Sequence, residues 1–114
     1  MTWQIALYDL DFIDKNLKKV LLDKETAFGA GVVTSLYRIG DTGPHGTLPL
    51  RALDERCRDK AVGDRIAEYI NGRWIYDPSR PQMKVCMCHD VGKGIHLHYQ
   101  VHPQTKKRNE IPPP

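Results

Sequence analysis

The segment Ile95-His-Leu-His-Tyr-Gln-Val101 decides the fold, because its apolar and polar residues alternate one by one. Strict alternation is the pattern of a β-strand that has one face on a core and one open face. The face towards the core carries the apolar members: Ile95, Leu97, Tyr99 and Val101. The opposite face carries the polar members: His96, His98, Gln100 and His102. Histidines two positions apart on that face have Cα atoms about 7 Å apart.

The sequence before this strand switches between helical and extended patterns. Helical spacing of apolar residues predicts two helices, Asp11–Phe28 and Asp59–Trp74, each with its first aspartate as N-cap. Clusters of β-branched, aromatic and other apolar residues predict three further strands: Val32–Arg38, Leu50–Cys57 and Lys84–His89. The composition of the middle one also permits a helix. With Asp90–Gly94 as a link of hairpin length, these elements predict an α+β fold, with two helices on a small, mainly antiparallel sheet.

The chain has 114 residues, which suits one domain, and we expect that domain to span residues 1–105. Residues 106–114 combine charged residues with three final prolines and are predicted to form a flexible tail. The net charge of +3 is too small to predict a nucleic-acid partner. No apolar run approaches the roughly 20 residues that cross a membrane, so no membrane partner is expected. The sequence does not determine the oligomeric state, and a monomer is the working expectation.

The first ten residues lack both a basic segment and a long apolar segment, so the sequence predicts synthesis without a secretory signal. The three cysteines are Cys57, Cys86 and Cys88. An odd number with such close spacing argues against a disulfide framework and favours synthesis in a reducing cytoplasm.

Asp54 and His45 add further groups that could ligate a metal. Asp54 follows Ala52 and Leu53 in a predicted strand, where a carboxylate is costly unless it is paired or bound to a metal. A salt bridge is the alternative, and three arginines could provide it: Arg38, Arg51 and Arg56. Two imidazoles, one carboxylate and a water make an open catalytic zinc site.

A second arrangement of ligands is also open. Cys86, Cys88 and His89 could form a closed, structural zinc site if Cys57 supplied a further thiolate. Structural cysteine pairs more often have two residues between them, and cysteines on a strand are more often small buried hydrophobes.

Four motifs, in order along the chain, resemble the zinc peptidases of the D-Ala-D-Ala carboxypeptidase group, which includes phage endolysins and shares the hedgehog-like fold. They are Val33-Thr-Ser-Leu-Tyr-Arg38, His45, Arg51-Ala-Leu-Asp54 and His96-Leu-His98. The family pattern is a strand ending in S-G-Y-R, a stretch S-x-H-x-x-G-x-A-x-D, and a closing H-x-H or E-x-x-H. The resemblance spans residues 32–101, which is most of the chain.

The resemblance implies a Zn²⁺ ion held by His45, Asp54 and His98. It places His96 beside the reacting water as the acid–base residue, and Arg38 against the substrate or the developing oxyanion. The implied activity is hydrolysis of an amide bond in the peptide of bacterial peptidoglycan. Such a protein without a signal peptide would suit a phage or prophage, which releases it through a holin or carries it in the virion.

The chain departs from the family pattern in four ways. Gly43 stands where the pattern has Ser, and Leu50 stands where it has Gly. The first two implied ligands are separated by eight residues, two more than in the pattern. Ile95 stands at the Glu position of E-x-x-H, so the role of base passes to His96. The altered positions leave open a catalytically inactive phage structural or binding module that retains the fold. A metal-dependent nuclease is a further alternative, but such a protein is expected to have a more basic surface.

Overall fold

The computed structural model describes residues 13–35, 49–90 and 94–108. These residues form two helices and six strands. In chain order they are α1 (Lys15–Phe28), β1 (Val33–Ser35), β2 (Ala52–Arg56), α2 (Lys60–Arg73), β3 (Trp74–Ile75), β4 (Cys86–Asp90), β5 (Ile95–Gln100) and β6 (Lys106–Lys107). The predicted α+β fold with two helices and a mainly antiparallel sheet is confirmed.

The helices begin and end at residues that cap them. The Asp59 carboxylate accepts hydrogen bonds from the backbone N–H groups of Ala61 and Val62, which confirms the predicted N-cap of α2. Helix α1 starts later than predicted. Its cap is Asp14, and Asp11 lies outside the described residues. Gly29 ends α1 with φ of +88°, a left-handed conformation that favours glycine.

The main sheet has four strands in the order β1-β2-β5-β4, and all neighbours are antiparallel. The ambiguous Leu50–Cys57 segment is therefore a strand, and β2 and β5 are the central pair. The predicted Val32–Arg38 strand is described only from Val33 to Ser35, because residues 36–48 lie outside the described part of the chain.

A small second sheet corrects two predictions. Trp74, predicted as the last residue of a helix, begins β3, which pairs antiparallel with β6. Lys106 and Lys107 are therefore ordered, although the flexible tail was predicted to start at residue 106. The Lys107 ammonium also lies over the Trp74 ring, 5.5 Å from its centroid. Residues 109–114 of the predicted tail lie outside the described residues.

The helices cover one face of the main sheet. Helix α2 packs on β4 and β5, and α1 packs against α2. Apolar side chains of both helices join those of the strands in one core, among them Leu17, Val20, Ile66, Ile70, Leu53, Leu97 and Tyr99. The alternation predicted for Ile95–Val101 is confirmed for Leu97, Tyr99 and Val101, which are buried in this core. Ile95, predicted to face the core, is only half-buried, and Gln100, predicted to lie on the open face, is buried.

A buried salt bridge between Lys24 and Glu55 lies on the helix-covered face of the main sheet. The Lys24 ammonium lies 2.8 Å from Glu55 Oε2, and the Tyr99 hydroxyl donates to Glu55 Oε1 at 2.6 Å. Lys24 also donates to the Gly29 carbonyl at 2.7 Å. The carboxylate and the ammonium are therefore paired and hydrogen-bonded, which offsets the cost of taking both charges out of water. This network ties α1 to β2 and β5.

Among the described residues, no helix has both the length and the apolar character needed to span a bilayer.

Candidate functional site

Asp54 and His98 face each other across the two central strands. They are directly opposite in the β2–β5 register, and His98 Nδ1 lies 2.8 Å from Asp54 Oδ1. Asp54 is only 6% exposed. Burial of a carboxylate is costly without a partner, and the hydrogen-bond contact with the His98 ring supplies one. The structure thus brings two of the predicted zinc ligands into contact.

The position of this pair follows from the strand alternation. Leu53 and Glu55, the neighbours of Asp54, turn to the core, so Asp54 must turn to the opposite face. Leu97 and Tyr99 turn to the core in the same way, which sends His98 to the face of Asp54. Placing the pair on central strands fixes both backbones by hydrogen bonds on each side.

Gln100 contacts Nε2, the second ring nitrogen of His98. Its side-chain oxygen lies 3.2 Å from His98 Nε2, while its amide nitrogen donates to the Lys84 carbonyl at 2.8 Å. An imidazole that donates from both nitrogens carries a positive charge, whereas the neutral ring keeps one lone pair. With an acceptor beside each nitrogen, only a doubly protonated ring would donate to both Asp54 and Gln100, and a neutral ring would donate to one of them.

His96 and His89 extend the site along the same face. They are directly opposite in the β4–β5 register, and their ring centroids lie 4.5 Å apart in an edge-to-face arrangement. The His89 centroid is also 6.0 Å from that of His98. Burial lowers the pKa of His89, the nearby His96 and His98 rings lower it further, and only Asp54 acts in the opposite direction. His89 is therefore biased towards the neutral imidazole, the form that can bind a metal or accept a proton.

The structure brings together three of the residues predicted for the site, and their roles stay predictions. His96 and His98 lie on one face of the sheet, as predicted, and Asp54 lies on the same face. His45 and Arg38 lie outside the described residues, so their roles stay predictions. His89 was not predicted as a member of this site. Its position follows from the register of β4 and β5: residues 90 and 95 are paired, so residue 89 lies opposite residue 96.

The thiolate arrangement considered from the sequence is not formed. Cys86 lies in the core, where burial raises the pKa of its thiol, and Cys88 also turns towards the helices. His89 turns to the opposite face of the sheet, because side chains alternate along β4. Cys57 and Cys88 do approach each other, with both sulfurs close to Gly63. The four residues of the predicted structural zinc site are thus divided between two faces.

A carboxylate oxygen and an imidazole nitrogen, as in Asp54 and His98, are donor types that zinc binds. Two ligands of a tetrahedral zinc ion, each about 2.1 Å from the metal, are about 3.4 Å apart. The observed distance of 2.8 Å between His98 Nδ1 and Asp54 Oδ1 is that of a hydrogen bond. If a zinc ion replaced the shared proton, the two atoms would have to move apart by roughly 0.6 Å. Within residues 13–35, 49–90 and 94–108, no group of three or more histidine, cysteine, aspartate or glutamate side chains could hold a metal. The third ligand predicted from the sequence, His45, is not among those residues.

No protein-family model matches the chain, and no curated protein and no solved structure is similar to it. A functional inference therefore rests on the geometry of this face and on the sequence motifs.

Proposed function

We propose that this chain is a zinc-dependent peptidase that hydrolyses an amide bond in the peptide of bacterial peptidoglycan. The observation that carries the proposal is the contact between Asp54 and His98, a carboxylate and an imidazole held 2.8 Å apart on two central strands. His96 lies two residues from His98 on the same face, where an acid–base group would be needed. We propose that the fold is related to that of the hedgehog-like D-Ala-D-Ala peptidases.

The proposed metal site combines geometry with sequence pattern. Asp54 and His98 supply two ligands, and His45, which precedes β2 in the chain, would supply the third. Three protein ligands leave a fourth position open, as in catalytic rather than structural zinc sites. When bound, zinc would supply Lewis acidity that polarises a carbonyl and lowers the pKa of water to about 7.

His96 is the proposed acid–base residue. A ring nitrogen of His96 would accept the proton of the attacking water and return it to the leaving amine. Among the described residues no hydrogen bond engages the His96 ring, so its nitrogens are not committed to a structural role there. Arg38 would donate hydrogen bonds to the developing oxyanion or to a substrate carboxylate.

The proposed biological setting follows from the resemblance in sequence. A single small domain with a peptidoglycan substrate suits a phage or prophage lysis protein, synthesised in the cytoplasm and released through a holin or carried by the virion. The second candidate is an inactive module that retains the fold. The altered motif positions favour it, and the Asp54–His98 contact, at hydrogen-bond distance, is compatible with both candidates.

Hydrolysis of purified peptidoglycan tests the proposal. The protein should release new free amino groups and no new reducing sugar ends, because amide cleavage frees an amine whereas a glycosidase uses two carboxylates beside a sugar. His96→Ala should slow the release by about two to four orders of magnitude at unchanged metal content. His102→Ala is the matched control, since His102 lies beyond β5 and packs on Tyr76. Reducing ends without amines would contradict the peptidase, and no product from protein that holds one zinc per chain, with no excess metal present, would favour the inactive module.

A further inference from the structure

We propose that His89 and His96 form a second site, for a divalent transition-metal ion such as Ni²⁺, Cu²⁺ or Zn²⁺. This site is separate from the Asp54–His98 pair. It uses two imidazoles from neighbouring strands, and waters complete the coordination.

The two rings are placed for chelation by the sheet itself. Residues directly opposite on antiparallel strands have Cβ atoms about 4.5–5.5 Å apart, so their side chains leave the sheet together. Two imidazoles that share one ion at about 2.1 Å have ring centroids roughly 5 Å apart. The observed separation of 4.5 Å is close to this value. The backbone of both strands is already fixed, so little ordering is left for the metal to impose.

The ring nitrogens of this pair are available. In the described part of the chain, no hydrogen bond is made by the side chain of His89 or His96. The other described histidines differ, since His98 contacts Asp54 and Gln100, and His102 Nδ1 accepts from the Gln104 N–H at 3.1 Å. Both rings of the pair are half-buried, so they are reachable from solvent and still partly fixed by packing.

The charges around the pair act in opposite directions. Asp54 lies on the same face and attracts a cation, and it is buried, so water screens it little. Arg56 is directly opposite His96 on its other side and repels a cation. Arg56 is exposed, and solvent weakens its field. The balance permits a dication beside the rings.

The chemistry of the donors defines the ion. Imidazole nitrogen suits zinc, copper and nickel, whereas calcium and magnesium require oxygen ligands. A site with two protein ligands binds more weakly than one with three, so it should fill only when metal is added. Under the proposed function, an ion on His96 would occupy the nitrogen that accepts the proton, and excess metal would then inhibit hydrolysis.

Equilibrium dialysis of protein without a histidine tag tests this site, with Ni²⁺ as the probe because it does not oxidise thiols. His89→Ala should bind one Ni²⁺ fewer per chain than the wild type, and His96→Gln should do the same. His102→Ala should bind as much Ni²⁺ as the wild type, and it controls for binding by a half-exposed histidine outside the site. Circular dichroism verifies that each variant is folded.

The Asp54→Asn background separates this site from the proposed catalytic one. Asp54→Asn should still bind one Ni²⁺ through His89 and His96, and adding His89→Ala should remove it. Because the readout is bound Ni²⁺, a failure to cleave peptidoglycan would leave the second site standing. The proposal is overturned if His89→Ala binds as much Ni²⁺ as the wild type. It is also overturned if Asp54→Asn alone empties both sites, because His89 would then belong to the first.

Discussion

Gly63 offers a test of the packing that holds β4, the strand of His89, against helix α2. A Cβ added at Gly63 would lie 2.4 Å from the Cys88 sulfur and 2.7 Å from the Cys57 sulfur. Both distances are shorter, by about 1 Å or more, than an ordinary carbon–sulfur contact of about 3.7 Å. Gly72 lies on the same helix, and a Cβ there would meet nothing within 4 Å.

The expected effects of alanine at the two positions have opposite signs. Alanine in place of glycine in a helix stabilises by about 1 kcal/mol where there is room. Gly72→Ala should therefore raise the free energy of unfolding by about 0.5–1 kcal/mol. At Gly63 the same gain is opposed by overpacking, which costs about 1–3 kcal/mol when a methyl group is forced into a filled core. The difference between the two effects leaves a net loss, so we expect Gly63→Ala to lower the free energy of unfolding by up to about 2 kcal/mol.

Urea unfolding under reducing conditions measures both variants. Adding Cys88→Ala to Gly63→Ala should restore part of the loss, because it removes the nearer sulfur. In a double-mutant cycle the two changes should couple by about 1 kcal/mol. If Gly63→Ala were as stable as Gly72→Ala, the close packing of α2 on Cys57 and Cys88 would be refuted.

Two further predictions concern charged residues. Burial would raise the pKa of Asp23, but hydrogen bonds from Arg73 and Trp74 lower it below its usual value. The carboxylate thus contributes stability above its unfolded pKa of about 3.9, and this is lost as the pH falls through the lower folded pKa. Urea unfolding from neutral pH down to about pH 2 should show this loss in the wild type and not in Asp23→Asn. If the free energy of unfolding depended on pH equally in both proteins, the lowered pKa of Asp23 would be contradicted. Arg38→Lys should lower kcat/KM by about 10² to 10³ at unchanged zinc content, because lysine keeps the charge but loses the planar fork. A fall of less than tenfold would remove Arg38 from the active site.

The features that could be predicted from the sequence depend on local signals. The period of two along Ile95–Val101 predicted which residues of β5 face the core, and Asp59 marked the start of α2 through its own side chain. The start of α1 could not be predicted in this way. Ile13 bridges to Leu50 and the Asp14 N–H donates to the Leu50 carbonyl, so these two residues pair with Leu50 and the helix begins after them. That constraint comes from a segment more than 30 residues away.

The same limit applies to the pairings that the sequence missed. Strand β6 exists because Lys106 and Lys107 find partners at Trp74 and Ile75, and no pattern within the tail indicates this. The buried Lys24–Glu55 pair likewise joins a helix to a strand that lies far along the chain. In the site, Asp54 and His98 were associated through motif order, but their contact depends on the β2–β5 register. Only the structure supplies that register.

Zinc content is the most direct test of the proposed catalytic site. Elemental analysis of protein purified without a histidine tag and without added metal should give close to one zinc per chain. Asp54→Asn and His98→Ala should each lose most of it, because two remaining ligands bind too weakly. His102→Ala should keep it, as a histidine outside the site. Full retention of zinc in His98→Ala, or its loss only when Cys57 and Cys88 are both changed to serine, would contradict the account.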